Sequence, residues 1–499
     1  VVEPYFSHCL GGGAWSLYFD AETEEVTSLD GVGPVGSLCT LEDYAARAGD
    51  RGMHQANVPG AWDGWMLWLE RYGRLDLPEV LAPAIAAARD GFVVSGEMAY
   101  YMSLEYDAML AHPATAAVYA PNGSFPGAGQ IMTMPGMAAT FEALAAAYTQ
   151  AGSRRRGLRG ARDHMYRAPL AEAIVAESDA DNGYLTLDDF AGFEAEIVPA
   201  LSITYGSTME VYQSPPNSQG MTMLLALNIL KGMDHSGMQP HDPDVVHSQV
   251  EAVKLAYADR YRFIGDPAVV DVDVDFLLSD EHAAEQLERI DMDRAMPWPD
   301  TAGVTQMEPM NTTTYQVVDS YGNAATVTTS LGLQFWVMGD TGIHINERNR
   351  FYSVEEGNPN AIAPGKKVRH TSCPYLVLRD GRPFVLGGNT GVDTQPQAQL
   401  QQLMSAIDFG LSAQGAIGLP RWVSTAFPAS THPWQIGNTL QLQNGFPEGT
   451  IAELRNPGHE LVLGEGIFGT AAMIKVSADG TETDLGVEPN NSTASGMRL

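Results

Sequence analysis

Along the first 310 residues apolar positions recur at three- and four-residue intervals, and this spacing predicts helices over 62–72, 77–91, 137–151, 170–178 and 245–262. Gly73 and Gly91 stand just past the last periodic residue of two of them, where a helix commonly stops. Short β-like runs at 14–19 and 209–212 lie between turn residues. The segment 292–309 is rich in Pro, Asp and Met and carries no clean period. It reads as an exposed connector, the kind of place where a chain tolerates cleavage.

Beyond that connector the period changes from helical to alternating. Residues 313–318 and 324–329, around the turn at 319–323, predict a hairpin, and 374–378 with 383–386 predict another across Arg379-Asp380-Gly381-Arg382. A helix over 397–409 follows, and a third hairpin is expected near 460–476. There is no internal repeat. Hairpins followed by a packed helix predict an α+β protein built of sheet and helix layers, not a parallel doubly wound sheet.

Composition narrows the picture. A chain of 499 residues with 44% hydrophobic and 18% charged positions is an ordinary globular sequence, long enough to bury a large interior or to divide into subdomains. Its formal net charge of -33 repels phosphate backbones and anionic headgroups, which excludes nucleic acid and membrane surfaces as partners. The arginines 154, 155, 156, 159 and 162 run against this trend and read as a solvated basic loop. Cys9, Cys39 and Cys373 show no CxxC spacing, so no zinc site or disulfide framework is expected, though a single disulfide stays open. No apolar run is long enough to span a bilayer. The chain opens on Val1-Val2-Glu3-Pro4 with neither initiator Met nor signal peptide, which leads us to expect a lost upstream segment. The histidines, His8, His54, His164, His235, His241 and His247 among them, lack HExxH spacing and read as satisfied or exposed. Gly11-Gly12-Gly13 lacks the Lys and Ser/Thr of a phosphate loop. Neither a metal nor an organic cofactor is expected.

Chemistry concentrates at the junction of connector and first hairpin, in Asn311-Thr312-Thr313-Thr314-Tyr315. A Thr hydroxyl is a weak nucleophile unless a base lies beside it, and the free α-amine of the same residue, once the preceding peptide is cut, is an economical base. Three threonines before a strand are by themselves ordinary β-formers. Their neighbourhood changes the reading. Thr312 is followed by Val317-Val318-Asp319, Gly322-Asn323 and Val327-Thr328 at the spacing with which the γ-glutamyltranspeptidases begin their small subunit. Val58-Pro59-Gly60-Ala61, Leu81-Ala82-Pro83-Ala84-Ile85, Pro215-Pro216-Asn217-Ser218, Ala256-Tyr257-Ala258-Asp259-Arg260 and Asn360-Ala361-Ile362-Ala363-Pro364-Gly365-Lys366 are similar to landmarks of that family, in order along nearly the whole chain.

The resemblance implies the four-layer αββα sandwich of the N-terminal-nucleophile hydrolases. It also implies a precursor that cuts itself between Asn311 and Thr312 into a large subunit, 1–311, and a small one, 312–499. Thr312 would be the nucleophile and Ser330 would offer its hydroxyl to the Thr312 amine. The oxyanion would rest on backbone N–H groups of Thr390 and Gly391, where the family has two glycines. The resemblance further implies a small amide or peptide substrate, admits a dimer of such heterodimers, and favours a periplasmic or secreted enzyme.

The glutamate-recognition residues depart from the family. Its Arg after Leu-Asp is missing, since Leu29-Asp30 runs into Gly31-Val32-Gly33. Its acidic stretch is here Asn346-Glu347-Arg348-Asn349-Arg350-Phe351, so Glu347 is kept while Arg350 takes the place of an Asp that would hold the substrate's ammonium. Its paired serines correspond to His370 and Thr371, and Gly332 replaces an Asn. Glu347, Asn349, Arg350, His370 and Thr371 are therefore the candidate substrate-binding residues of a relative acting on another amide, in the way that cephalosporin acylases, oxamate hydrolases and poly-glutamate-processing enzymes use this scaffold. Two alternatives stand beside it: a true γ-glutamyltranspeptidase with relocated anchors, and an uncleaved, catalytically silent binding protein.

Overall fold

The computed structural model describes residues 1–5, 10–297, 312–332, 335–464, 468–491 and 493–497. We number only the elements that build its layers. The chain begins with the hairpin β1 (Gly13–Asp20) and β2 (Glu25–Gly31), then α1 (Ala61–Arg71), α2 (Leu77–Asp90), α3 (Pro135–Gln150) and α4 (Arg154–Tyr166). Next come β3 (Glu196–Pro199), β4 (Leu201–Tyr205), β5 (Met209–Gln213), α5 (Met221–Leu230) and α6 (Pro243–Phe263). The last part supplies β6 (Thr312–Val318), β7 (Ala324–Ser330), β8 (Tyr375–Arg379), β9 (Arg382–Asn389), α7 (Gln395–Ile407), β10 (Ala471–Val476) and β11 (Thr483–Val487).

Two antiparallel sheets result, in the orders β3-β2-β1-β7-β6 and β11-β10-β9-β8-β5-β4. They face each other across Leu17, Phe19, Ala324, Leu376, Leu378 and Leu386. The alternation in β1 shows why: Leu17 and Phe19 point inward, while Tyr18 turns outward and stacks on Tyr72 at the end of α1, 4.1 Å between ring centroids. In β8 the outward residues Tyr375 and Val377 are buried too, under α5, α6 and α7 through Leu224, Leu227, Val250, Val253, Leu400 and Leu403. Each such apolar side chain taken from water contributes about 1.5–3 kcal/mol. On the other side α1 to α4 build a second core through Trp62, Met66, Leu81, Phe141, Leu144 and Leu158. Helices outside both sheets make the expected four-layer αββα sandwich.

Both strong hairpins form at their expected places, the strand expected at 383–386 running three residues further, and the five periodic helices lie within a residue or two of their expected bounds. Two expectations need correction, and one helix was missed. Residues 460–476 are not a hairpin: Glu460–Gly464 pairs in parallel with Thr439–Gln443 in a separate three-stranded sheet, and β10 pairs with β9 and β11. Alternation identifies a strand but not its partner. The arginine cluster is helix α4, not a loop. Arg154 binds the carbonyls of Leu75 and Gly73, each at 2.8 Å, and Arg162 pairs with Asp63 on α1, so two of these cations seal carbonyls and a carboxylate. Finally, α5 went unseen because all ten of its residues are buried, which leaves no polar face to mark a period. Cys39 and Cys373 are buried free thiols, and Cys9 lies outside the described residues. Among the described residues, no helix is long and apolar enough to cross a membrane.

Candidate active site

Thr312 opens β6 at the end of the first sheet. It sits opposite Ser330 at the end of β7, and Ser330 in turn sits opposite Gly13 at the start of β1. This rung brings the Thr312 Oγ1 to 3.2 Å from the Ser330 Oγ, both residues being almost wholly buried at 2% and 1% exposure. The second sheet arrives at the same level. The Thr326 hydroxyl donates to the Gly387 carbonyl at 3.0 Å, and a Cβ at Gly388 would lie 2.3 Å from the Thr314 Oγ1. One step along β9 thus moves from the 316/326 rung to the 314/328 rung, and Thr390-Gly391 follow at the end of this strand. Only glycine at 388 allows the sheets to come this close.

Of the expected oxyanion pair, Thr390 is already engaged. Its N–H donates to the Thr470 carbonyl at 2.8 Å, and its Oγ1 accepts from the Thr470 N–H at 2.8 Å. Gly391 adopts φ 106°, and its N–H has no protein partner among the described residues. The expectation of two donors is therefore corrected to one available N–H. The reason lies in tertiary pairing: the chain entering β10 runs beside Thr390 and takes its amide, which no local pattern announces.

The position of Glu347 is set by Gly332. With φ 131°, it lies so close to Glu347 that a Cβ there would meet the Glu347 Cγ at 2.1 Å. The Glu347 N–H is tied to the Leu331 carbonyl at 3.1 Å. The Arg350 Nη1 lies 3.2 Å from the Glu347 Oε1, the carboxylate being buried and the guanidinium partly open to solvent. Arg348 is buried beside them with its guanidinium 4.2 Å over the Phe351 ring, and burial pushes its pKa down to about 9, so it stays charged at neutral pH. Arg51, paired with Glu105, adds a further cation whose hold on its proton is raised first by that hydrogen bond and also by Glu347. Sequence reasoning missed Arg51, since it stands in no motif.

His370 accepts from the Ser372 N–H through Nδ1 at 3.1 Å, which places its proton on Nε2. That Nε2 is buried and has no hydrogen-bond partner among the described residues, and a Cβ on Gly13 would lie 3.2 Å from it. Burial, then the charge of Arg348, holds the ring neutral by moving its pKa well below the ordinary histidine value. A neutral imidazole donor thus stands beside the strand that pairs with Ser330. The Thr371 Oγ1 is likewise buried and without a partner among the described residues. Asn349 does not join them: its amide donates to the carbonyls of His54 and Ala56 at 3.0 and 2.8 Å, so it braces the scaffold instead of offering a hand to substrate. Asp30, which lacks the family's following Arg, binds the Lys367 Nζ at 2.6 Å. Asn311 lies outside the described residues.

The family model for gamma-glutamyltranspeptidase matches residues 1–494. The glutathione hydrolase-like YwrD proenzyme of Bacillus subtilis is 32% identical over 491 residues, covering 96% of this chain and 88% of that one. The acylase ACY 1 proenzyme of Pseudomonas sp. is 29% identical, covering 97% and 84%. Among solved structures, the cephalosporin acylase of Bacillus halodurans superposes with a TM-score of 0.83 at 30% identity, over 98% of this chain and 87% of the other.

Proposed function

Since the chain belongs to the gamma-glutamyltranspeptidase family and is thereby an amidohydrolase of that kind, we propose that Thr312 is both its self-cleavage site and its nucleophile, and that its acyl group is not a standard γ-glutamyl. The observation that carries the first half is the rung Thr312–Ser330, which holds the two buried hydroxyls 3.2 Å apart at the start of the strand that follows the connector.

In maturation the Thr312 Oγ attacks the Asn311 carbonyl. The peptide C–N bond breaks as the ester forms, and water then hydrolyses the ester to leave an Asn311 carboxylate and a free Thr312 amine. The products are chains 1–311 and 312–499. In turnover that amine takes the proton of the Oγ as the oxygen attacks the substrate amide, with Ser330 orienting it. The oxyanion forms opposite the Gly391 N–H, where a fixed donor stabilises the charge only as it develops. The proton passes to the leaving amine, and water or an acceptor amine releases the acyl group.

The second half rests on charge. Glu347, which would hold a substrate ammonium, is occupied by Arg350, and Arg348 and Arg51 add positive charge nearby. A buried ammonium there meets repulsion, while an acyl group bearing a carboxylate and no α-amine meets attraction, with the His370 Nε2–H as a neutral donor. The test is denaturing electrophoresis and N-terminal sequencing of wild type and Thr312→Ala. We expect a small chain beginning Thr-Thr-Thr-Tyr in the wild type, and in the variant one uncut 53.7 kDa chain without amidase activity. An uncut wild type would instead favour the silent binding protein.

A further inference from the structure

Away from the active site, α6 carries His247 and Glu251 one turn apart, and the chain folds His459 onto them. The side-chain ligand atoms of all three lie within 4.8 Å of one another. The His247 Nδ1 and the His459 Nε2 are 2.7 Å apart, and the three residues are 2%, 0% and 8% exposed. We propose that His247, Glu251 and His459 bind one divalent transition-metal ion, Zn2+ being the natural match to two imidazoles and a carboxylate.

The surroundings favour this over a chance cluster. The His247 Nε2 lies 3.0 Å from the Asp291 carbonyl, which can only accept, so the ring proton sits there and the Nδ1 lone pair faces the cluster. A backbone carbonyl fixing the far nitrogen is the usual support of a metal-bound imidazole. The Glu251 Oε2 accepts from the Met296 N–H at 2.8 Å, which orients the carboxylate while leaving a lone pair on each oxygen. Without an ion, His459 donates into the His247 Nδ1. With one, its Nε2 proton is given up or moves to Nδ1, and the two nitrogens part to about 3.4 Å, the span of two ligands at zinc distance.

Lys254 opposes the ion. Its Nζ lies 2.7 Å from the Glu251 Oε1 and 2.8 Å from the Met296 carbonyl. Binding must displace it from the carboxylate while the carbonyl keeps it, so the charge of Lys254 sets the affinity. The ion would join two parts of the chain, since His247 and Glu251 precede Thr312 and His459 follows it, while Asp291 and Met296 belong to the stretch leading into 298–311. It would therefore staple the two products of cleavage together.

The test uses untagged, chelator-stripped protein titrated with ZnCl2 by calorimetry, with Tm and the visible spectrum of the Co2+ form as independent readouts. We expect one equivalent bound, a Tm that rises with zinc, and affinity at least tenfold weaker in both His459→Asn and His247→Asn. Lys254→Met should bind about tenfold more tightly. Wild type without a one-equivalent site would overturn the proposal. So would histidine variants that bind as well as wild type, or, should these fail to fold, a Lys254→Met variant with unchanged affinity.

Discussion

At the scale of single residues the site depends on two positions where a side chain is withheld or reversed in charge. Gly332 has no Cβ because Glu347 occupies the space, and its φ of 131° is one that other residues rarely adopt. Gly332→Ala is expected to lower stability by about 1–3 kcal/mol and to slow maturation, read from chemical denaturation and from the fraction of cut chain. A variant as stable and as fully cut as wild type would remove Gly332 from the account. Arg350 presents the opposite case, where charge and not volume decides. Arg350→Asp leaves Glu347 with a second carboxylate and without its cation, so kcat/KM on γ-glutamyl-p-nitroanilide should rise at least tenfold. That on the same acyl chain lacking the α-amine should fall. An unchanged ratio between the two substrates would mean that the ammonium is held elsewhere, and the enzyme would be a true γ-glutamyltranspeptidase with moved anchors.

At the scale of elements the site is held by the ends of strands and the turn beyond β9. That turn is anchored by Asp393, which accepts from the Arg260 Nη1 at 2.6 Å, the Ser430 N–H at 2.9 Å and the Ser430 hydroxyl at 2.6 Å. Arg260 comes from α6 and is 1% exposed, so the pair ties a helix of the outer layer to the loop carrying Gly391. Asp393→Ala would leave a buried guanidinium without its carboxylate. The expected cost is about 3–5 kcal/mol, together with a fall in kcat as the Gly391 turn loosens. A loss of kcat without loss of stability, or neither, would show that the turn is held by other contacts. The hairpin of β6 and β7 is legible in the sequence, because both strands are rich in Thr and Val and the Asp319–Asn323 turn between them has the right residues. The partner of Glu460–Gly464 is not, since a period of two is the same for any neighbour.

At the scale of the whole molecule, burial on both faces of both sheets draws titratable groups into the interior. His344 is fully buried with its Nε2 2.6 Å from the Tyr119 hydroxyl, and burial pushes its pKa down to about 3. His370 moves the same way. In the unfolded chain both take up a proton below about pH 6.5, and the folded protein refuses it. Their contribution to stability is thus whole above pH 6.5 and is lost as pH falls below it, for His344 down to about 3. At pH 5 this amounts to about 2 kcal/mol for His344 alone. Denaturant unfolding at pH 7.5 and at pH 5 should show that loss, and a stability flat between these values would contradict it.

The sequence by itself determined the helices with a polar face, the two strong hairpins, the family and the residue that heads β6, because each is written in local spacing or in ordered motifs that survive without neighbours. It could also show that the glutamate anchors had changed. Only the tertiary structure shows what those residues touch. Glu347 and Arg350 read as two nearby charges until the 3.2 Å contact made them a pair, and His370 became a neutral donor through its burial and the Ser372 amide. Thr390 commits its amide to Thr470, eighty residues on, and Arg51 is brought from a distant segment to the neighbouring Glu347 and Arg350. Hydrogen-bond commitment, burial and charge proximity depend on which segments meet in space, and local periodicity does not carry that information.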